Sequence, residues 1–280
     1  HFLKPLLEGT ARSCFSMTEP EVAGSDPTLI QTTAVEDGDE WVINGHKWFT
    51  SGAQGADFAI VIARTDPDAD IPQARNSAFI VPTNSPGFEI VRDVETMGGR
   101  HNHPEVKYNG VRVPKTHLLG ERGGGHKLGQ VRLGPARLAH CMRWIGQIEM
   151  ALEMLIKRAQ SRFSHGSYLS EKQSIQWMMS DSAMELYAAK LMVLHAAYKI
   201  EHKMEFKQEV SMAKHHVANT LWRVVDRAMQ VHGALGYSTD TPLAGMMQQA
   251  RWARLADGAD EVHQMRIAEL LMRTFNEDGS

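Results

Sequence analysis

Two hydrophobic periods divide the chain. Up to about residue 118, apolar residues come in short runs separated by turn-forming residues. Phe58-Ala59-Ile60-Val61-Ile62-Ala63 and Ser77-Ala78-Phe79-Ile80-Val81-Pro82 have the length of buried strands, the second ended by proline. Phe88-Glu89-Ile90-Val91, Val106-Lys107-Tyr108 and Val111-Arg112-Val113-Pro114 add further short strands. Glu40-Trp41-Val42-Ile43 and His46-Lys47-Trp48-Phe49 flank Asn44-Gly45, a strong short-range hairpin signal. Asp66 to Arg75, rich in Asp and Pro, reads as a surface loop. The pattern predicts a small β-barrel or sandwich domain over 12–120.

After Gly123-Gly124-Gly125 the period lengthens to three and four. Leu138, Met142, Ile145, Ile148, Leu152, Leu155 and Ile156 lie on one helical stripe between Leu133 and Arg162. Comparable patterns cover 170–203, 209–235, 243–255 and 261–274, joined by short turns. They predict an antiparallel α-helical bundle over 126–280, so the fold class is α+β multidomain. Methionines at 178, 179, 184, 192 and 212 fit core filling. The glycine triplet lacks the Lys-Ser/Thr pair of a phosphate loop and reads as an interdomain linker.

Charge and cysteines narrow the function. A formal net charge of −3 leaves no electrostatic footprint for nucleic acid. Cys14 and Cys141 form no C-x-x-C pair, which argues against a disulfide framework or a structural zinc site. No apolar run has the length to span a bilayer, so no stable membrane insertion is expected. The 14 histidines are scattered, with close sets only at His215-His216 and His101/His103, and no metal site is expected.

One segment breaks the structural pattern. Phe15-Ser16-Met17-Thr18-Glu19-Pro20-Glu21-Val22-Ala23-Gly24-Ser25-Asp26 combines a φ-restricting proline with a Gly-Ser-Asp corner. On its residues alone it is either a loop presenting amides and hydroxyls to a planar polar ligand or an ordinary structured turn. As a string it resembles the TEPxAGSD signature of the acyl-CoA dehydrogenase family. Further family elements follow in order from about Phe2 to Arg273. Trp48-Phe49-Thr50-Ser51-Gly52 resembles W-x-T-(N/S)-G, and Arg162 to Gln173 resembles R-x-x-F-G-x-x-L-x-x-x-Q with His165 where Phe is usual. Gln230-Val231-His232-Gly233-Ala234-Leu235-Gly236-Tyr237 resembles Q-x-x-G-x-x-G-(Y/F). Ala256-Asp257-Gly258-Ala259-Asp260-Glu261 falls where the family carries Y-E-G-T-x-Q.

The resemblance implies a flavoprotein binding FAD without a Rossmann glycine motif, the FAD lying between the β domain and the bundle. It places Phe15, Met17, Thr18, Gly24, Ser25, Trp48 and Thr50 at the flavin, with Gly258 and Glu261 also at the cofactor. Arg162, Gln173, Gln230 and Gly233 are implied at the dinucleotide half of a neighbouring subunit's FAD, hence a homodimer or homotetramer. Ser25, Arg137 and Gly258 are implied at an acyl-CoA substrate, with electron-transferring flavoprotein as electron acceptor. The family's N-terminal helical domain is absent before Phe2, residues 1–11 reading as its remnant and the chain as a fragment. Any targeting segment would belong to the missing piece, so localisation is cytoplasmic for a bacterial source and mitochondrial or peroxisomal for a eukaryotic one.

Removing hydrogens from the two carbons beside a thioester needs a base for the α-proton, donors for the enolate-like oxygen and an acceptor for the β-hydride. The protein has no hydride acceptor of its own, which is where a flavin enters. Asp257 aligns with the family's catalytic Glu, one methylene shorter, beside the apolar Leu255, Ala256 and Ala259. Its local sequence equally suits a cap for a helix starting near Asp260. Ala256, Ala259 and Glu261 replace the family's Tyr, Thr and Gln. Together with Leu133-Gly134-Pro135-Ala136-Arg137, the element looks like the branch related to kinase-fused dehydrogenases, in which Asp stands as base. Two other functions share these residues: an oxidase of the same fold, nitroalkane-oxidase-like, and a catalytically silent flavoprotein scaffold.

Overall fold

The structure is a computed structural model that describes residues 1–278; positions 279–280 of the expected bundle lie outside the described residues. The chain divides into two compact units, His1–Arg132 and Leu133–Ser280.

The first unit begins with a five-residue helix, α1 (Leu3–Leu7). Eight strands follow: β1 (Ser13–Ser16), β2 (Thr33–Asp37), β3 (Glu40–Lys47), β4 (Phe58–Arg64), β5 (Asn76–Pro82), β6 (Phe88–Thr96), β7 (Gly99–Pro114) and β8 (Leu118–Leu119). They form one sheet in the order β6-β7-β3-β2-β4-β5-β8, with β1 parallel to β4. The end strands β6 and β8 do not pair with each other, so the sheet stays open and the expected barrel does not close. Strand β4 is apolar almost throughout because both of its faces are covered. Ala59, Val61 and Ala63 join Ile43, Phe79, Val106 and Val111 in the main core. Ile62 faces a smaller cluster with Ile30 and Ala78, and Phe15 and Met17 pack on that cluster.

Asn44-Gly45 is not a hairpin turn. Strand β3 runs straight through it and bulges against β7 between Ile43 and Gly45. A Cβ on Gly45 would lie 2.2 Å from Thr32 Oγ1, so the glycine serves close strand approach. The turn lies one step earlier, at Gly38-Asp39, where Gly38 has φ +60°. The glycine triplet is not a slack linker either. Gly123 donates its amide to Ser77 Oγ at 2.8 Å, and a Cβ on Gly125 would meet the Ser77 carbonyl carbon at 2.7 Å.

The second unit is helical: α2 (Gly125–Ser161), which enters this unit at Leu133, α3 (Gln173–Glu201), α4 (Lys207–His232), α5 (Ala234–Tyr237), α6 (Leu243–Ala253) and α7 (Asp260–Asp278). A small hairpin of β9 (Phe163–Ser164) and β10 (Ser167–Tyr168) separates α2 from α3. Helix α4 is central, packing on α3, α6 and α7. Its Val217, Leu221, Val224 and Val225 meet Ile148, Leu155, Ala189 and Leu243 in one core. The outer stripe of α3, Met184, Tyr187, Leu191, Leu194 and Tyr198, is exposed. Among the described residues, no helix is long and apolar enough to cross a membrane.

Candidate functional site

In the first unit, the Thr18 segment is clipped to the Trp48 segment. Trp48 N donates to Thr18 O at 3.1 Å, and Thr18 Oγ1 donates to Trp48 O at 2.9 Å. Beneath the clip lies a buried ion pair absent from the sequence-derived site. Lys47 Nζ, fully buried, donates to Glu19 Oε1 at 2.9 Å and to Met17 O at 2.7 Å. Glu19 also accepts the amides of Gln31 and Thr32 at 2.7 and 2.9 Å. Burial pushes the Lys47 pKa down to about 8, against the pull of Glu19. Burial works to raise the Glu19 pKa, but Lys47 and the amide donors overcome it and the net direction is down. Both chains therefore act as struts for the loop.

Around this clip, Phe15, Met17 and Trp48 are half-buried, whereas Gly24 and Ser25 are exposed. A Cβ on Gly24 would touch Thr18 Cγ2 at 3.2 Å. Thr50 is fully buried, its Oγ1 3.2 Å from Ser16 Oγ, which in turn accepts from Tyr108 OH at 2.9 Å. Half-buried rings and a thioether beside exposed hydroxyl and amide groups fit the flat, edge-polar ring system of a flavin.

In the second unit, Arg137, His140, Cys141 and Trp144 occupy one face of α2, at spacings of three, four and seven. The turn from α6 to α7 runs against this face. Asp257 and Gly258 are successive left-handed residues, φ +52° and +107°. Two cations hold their carbonyls: Arg137 Nε donates to Asp257 O at 2.8 Å, and Lys214 Nζ to Gly258 O at 2.6 Å. Gly258 is required here, because a Cβ would lie 2.9 Å from His263 Nε2. The Asp257 carboxylate lies beside His140, Oδ2 to Nε2 3.0 Å. His140 stacks on Trp144 at 5.3 Å and meets the edge of Trp252 at 5.4 Å.

The charges around this turn are strongly biased. Burial pushes the fully buried Lys214 ammonium down to about 8, with Asp260 and Cys141 opposing. Burial, then the Lys214 and Arg137 charges, hold His263 neutral by lowering it to about 3. Burial pushes the Cys141 thiol up to about 12, so it is not a nucleophile at neutral pH. Asp260 is the first residue of α7, and its Oδ2 accepts Arg254 Nε at 2.7 Å and Asn219 Nδ2 at 3.0 Å. The N-cap position of α7 accordingly falls on Ala259 rather than Asp257.

The structure thus gathers Asp257, Gly258 and Arg137, and separately Met17, Thr18 and Trp48. Glu261 is exposed on the first turn of α7. Arg162, Gln173, Gln230 and Gly233 are exposed too, the first pair flanking the β9–β10 hairpin and its following turn, the second ending α4. Reasoning from sequence missed Glu19, Lys47, His140 and Lys214. Lys47 and Lys214 had a signal: each is a lysine at an inward position of an apolar period.

Residues 14–111 match the acyl-CoA dehydrogenase middle domain, and residues 123–272 match the acyl-CoA dehydrogenase C-terminal domain. The chain belongs to the acyl-CoA dehydrogenase family, a family of FAD-binding oxidoreductases. It is 45% identical over 273 residues to "Probable acyl-CoA dehydrogenase FadE2" of Mycobacterium tuberculosis, covering 95% of this chain and 67% of that protein. It is 40% identical to mouse "Acyl-CoA dehydrogenase family member 10", covering 97% of this chain but 26% of that one. Among solved structures, butyryl-CoA dehydrogenase from Megasphaera elsdenii matches with a TM-score of 0.89 and 31% identity, over 97% of this chain and 70% of its own. The prolyl acyl carrier protein oxidase AnaB matches with a TM-score of 0.90 and 26% identity, over 96% and 71%.

Proposed function

We propose that the protein containing this chain oxidises an acyl-CoA thioester to the 2-enoyl-CoA, with Asp257 as the base for the α-proton. The observation that carries this is the rigid presentation of Asp257. Its carbonyl is fixed by Arg137, its carboxylate lies at His140, and its turn is fixed by Lys214. A general base must be held in place and kept ionised. The half-buried Arg137 and the buried Lys214 both attract negative charge at Asp257, which favours the carboxylate over the acid. Bound FAD supplies the two-electron acceptor for the β-hydrogen. Phe15, Met17, Thr18, Gly24, Ser25 and Trp48 would hold its ring system, and Thr50 would stiffen their support through Ser16 and Tyr108. Arg162, Gln173, Gln230 and Gly233, all exposed, are free to serve a dinucleotide carried by a second copy.

Ser25 and Gly258 complete the substrate side of this reading. Arg137, expected at the CoA end, spends its Nε on the Asp257 carbonyl, so holding the base loop is part of its role. The exposed apolar stripe of α3 supports a homodimer or homotetramer. Electron-transferring flavoprotein is the acceptor this reading implies.

The test is anaerobic flavin bleaching by an acyl-CoA panel. Asp257→Asn should keep FAD and slow bleaching by roughly 10²–10⁴-fold. Bleaching at the wild-type rate would remove Asp257 from the role. The match to AnaB supports a second reading, an oxidase that passes electrons to O₂. Stoichiometric peroxide without any added acceptor would select it.

A further inference from the structure

We infer that His140 is a positioning residue for Asp257, held as the neutral imidazole with its proton on Nε2. This rests on the reading of Asp257 as the base. The tautomer follows from donors and acceptors. Arg143 NH2 lies 2.7 Å from His140 Nδ1, and a guanidinium can only donate. Nδ1 is therefore the acceptor, which leaves the ring proton on Nε2, 3.0 Å from Asp257 Oδ2. His140 donates to the carboxylate, and its Nδ1, accepting from Arg143, is already occupied as an acceptor.

The ring's orientation is set independently. Trp144 stacks on one face with an interplanar angle of 23°, and Trp252 presents an edge at 68°. Trp252 and Trp144 themselves meet at 6.2 Å. The imidazole thus points its Nε2–H at one place. A hydrogen bond to the charged form favours the carboxylate and fixes its rotamer. Charged and titratable groups packed around this turn also include Arg137 on α2, Lys214 on α4, Arg254 at the end of α6, and on α7 Asp260 and His263, which burial keeps neutral. His140 meets an Asp257 carboxylate oxygen through a ring that, in this tautomer, carries no formal charge. It adds no charge that would have to be neutralised once the base has taken its proton.

The experiment compares His140→Phe and His140→Gln in the FAD-loaded holoenzyme, with Asp257→Asn alongside. Gln places an amide N–H near the position of Nε2–H, whereas Phe keeps the stacking and loses the donor. For His140→Phe, the flavin-reduction rate should fall on the order of ten-fold with little change in KM, the value of one hydrogen bond to a charged group. The acid limb of its pH–rate profile should move upward by about one pH unit, because the carboxylate loses a donor to its ionised form. His140→Gln should restore most of the rate and the limb. Imidazole nitrogen shifts in histidine-labelled protein, compared with His140→Gln, should show Nε2 protonated and Nδ1 bare at neutral pH. A doubly protonated His140 would overturn the inference. So would a Phe variant with wild-type rate and pH profile, or a Gln variant as impaired as Phe. If Phe does not fold, the Gln variant's pH profile and the nitrogen shifts still decide. Asp257→Asn separates the two ideas. Wild-type bleaching by it overturns the base and this inference together, whereas its collapse beside an unaltered His140→Phe overturns this inference alone.

Discussion

Lys214→Met removes a buried cation whose energetic signature is specific. Lys214 is fully buried, and its pKa is lowered from 10.5 to about 8. Below pH 8 the ammonium is charged in both folded and unfolded chains, and the folded chain carries the cost of its desolvation. Between pH 8 and 10.5 the folded lysine releases its proton while the unfolded one keeps it. The unfolded state then binds more protons, so stability rises with pH across that window. At ~1.4 kcal/mol for each pKa unit, the full rise attributable to Lys214 is about 3 kcal/mol. Met fills similar volume and cannot titrate, so the Met variant should lack this rise. Other groups, including Cys141, titrate in both proteins and largely cancel in the difference. Urea midpoints read by tryptophan fluorescence from pH 7 to 10.5 give that difference directly. Parallel pH profiles for the two proteins would refute the account. Near neutral pH the two losses oppose each other: Met relieves the desolvation but leaves the Gly258 carbonyl without its donor, a cost of roughly 1–3 kcal/mol. Stability at pH 7 should therefore change little, while flavin reduction slows because the Asp257–Gly258 turn has lost its Lys214 anchor.

Three further outcomes follow from the same reasoning. Glu19→Gln strands the buried Lys47 ammonium and should destabilise the first unit by about 3–5 kcal/mol, with loss of FAD; an unchanged urea midpoint would count against it. Arg162→Ala should weaken FAD retention by roughly 1.5–3 kcal/mol without altering the far-ultraviolet dichroism, and tight FAD binding by a monomer in light scattering would contradict the shared-site reading. Leu194→Glu puts a charge in the exposed stripe of α3 and should shift the assembly toward monomer; an unchanged mass would place the interface elsewhere.

The division into a sheet and a bundle was legible because strand and helix periods differ and each unit closes its own core. The ranges of α3, α4, α6 and α7 came within a few residues for the same reason, whereas α2 starts at Gly125, well before the expected Leu133. Turn chemistry was less legible. Asn44-Gly45 carries the composition of a hairpin turn, yet it sits within a strand that continues past it. Local preference set that expectation, and pairing of β3 with β7 on both sides of Gly45 overrode it. The open sheet was hidden for a related reason: short alternating strands read alike whether or not the edges meet. At the site, the residues in named motifs were found, while their supports were not. Glu19 and Lys47 stand 28 positions apart and His140 and Asp257 far more, so no window along the sequence joins them.

The supports explain how the altered turn can still present a carboxylate. Relative to the family's Y-E-G-T-x-Q, this chain has Ala256, Asp257, Ala259 and Glu261, losing one methylene from the carboxylate side chain and a phenol, a hydroxyl and an amide nearby. A shorter side chain has fewer rotatable bonds, so its tip is placed more by the backbone than by its own torsions. The backbone here is constrained at each step. Asp257 and Gly258 both adopt positive φ, their carbonyls are held by Arg137 and Lys214, and Asp260 N closes the turn on Arg254 O at 3.1 Å. Anchoring of this kind comes from α2 and α4, not from side chains of the turn itself. That is why alanine can stand at 256 and 259 without loosening the loop. It also follows that the turn should tolerate changes at those two alanines better than changes at Arg137 or Lys214, which lie far from it in sequence.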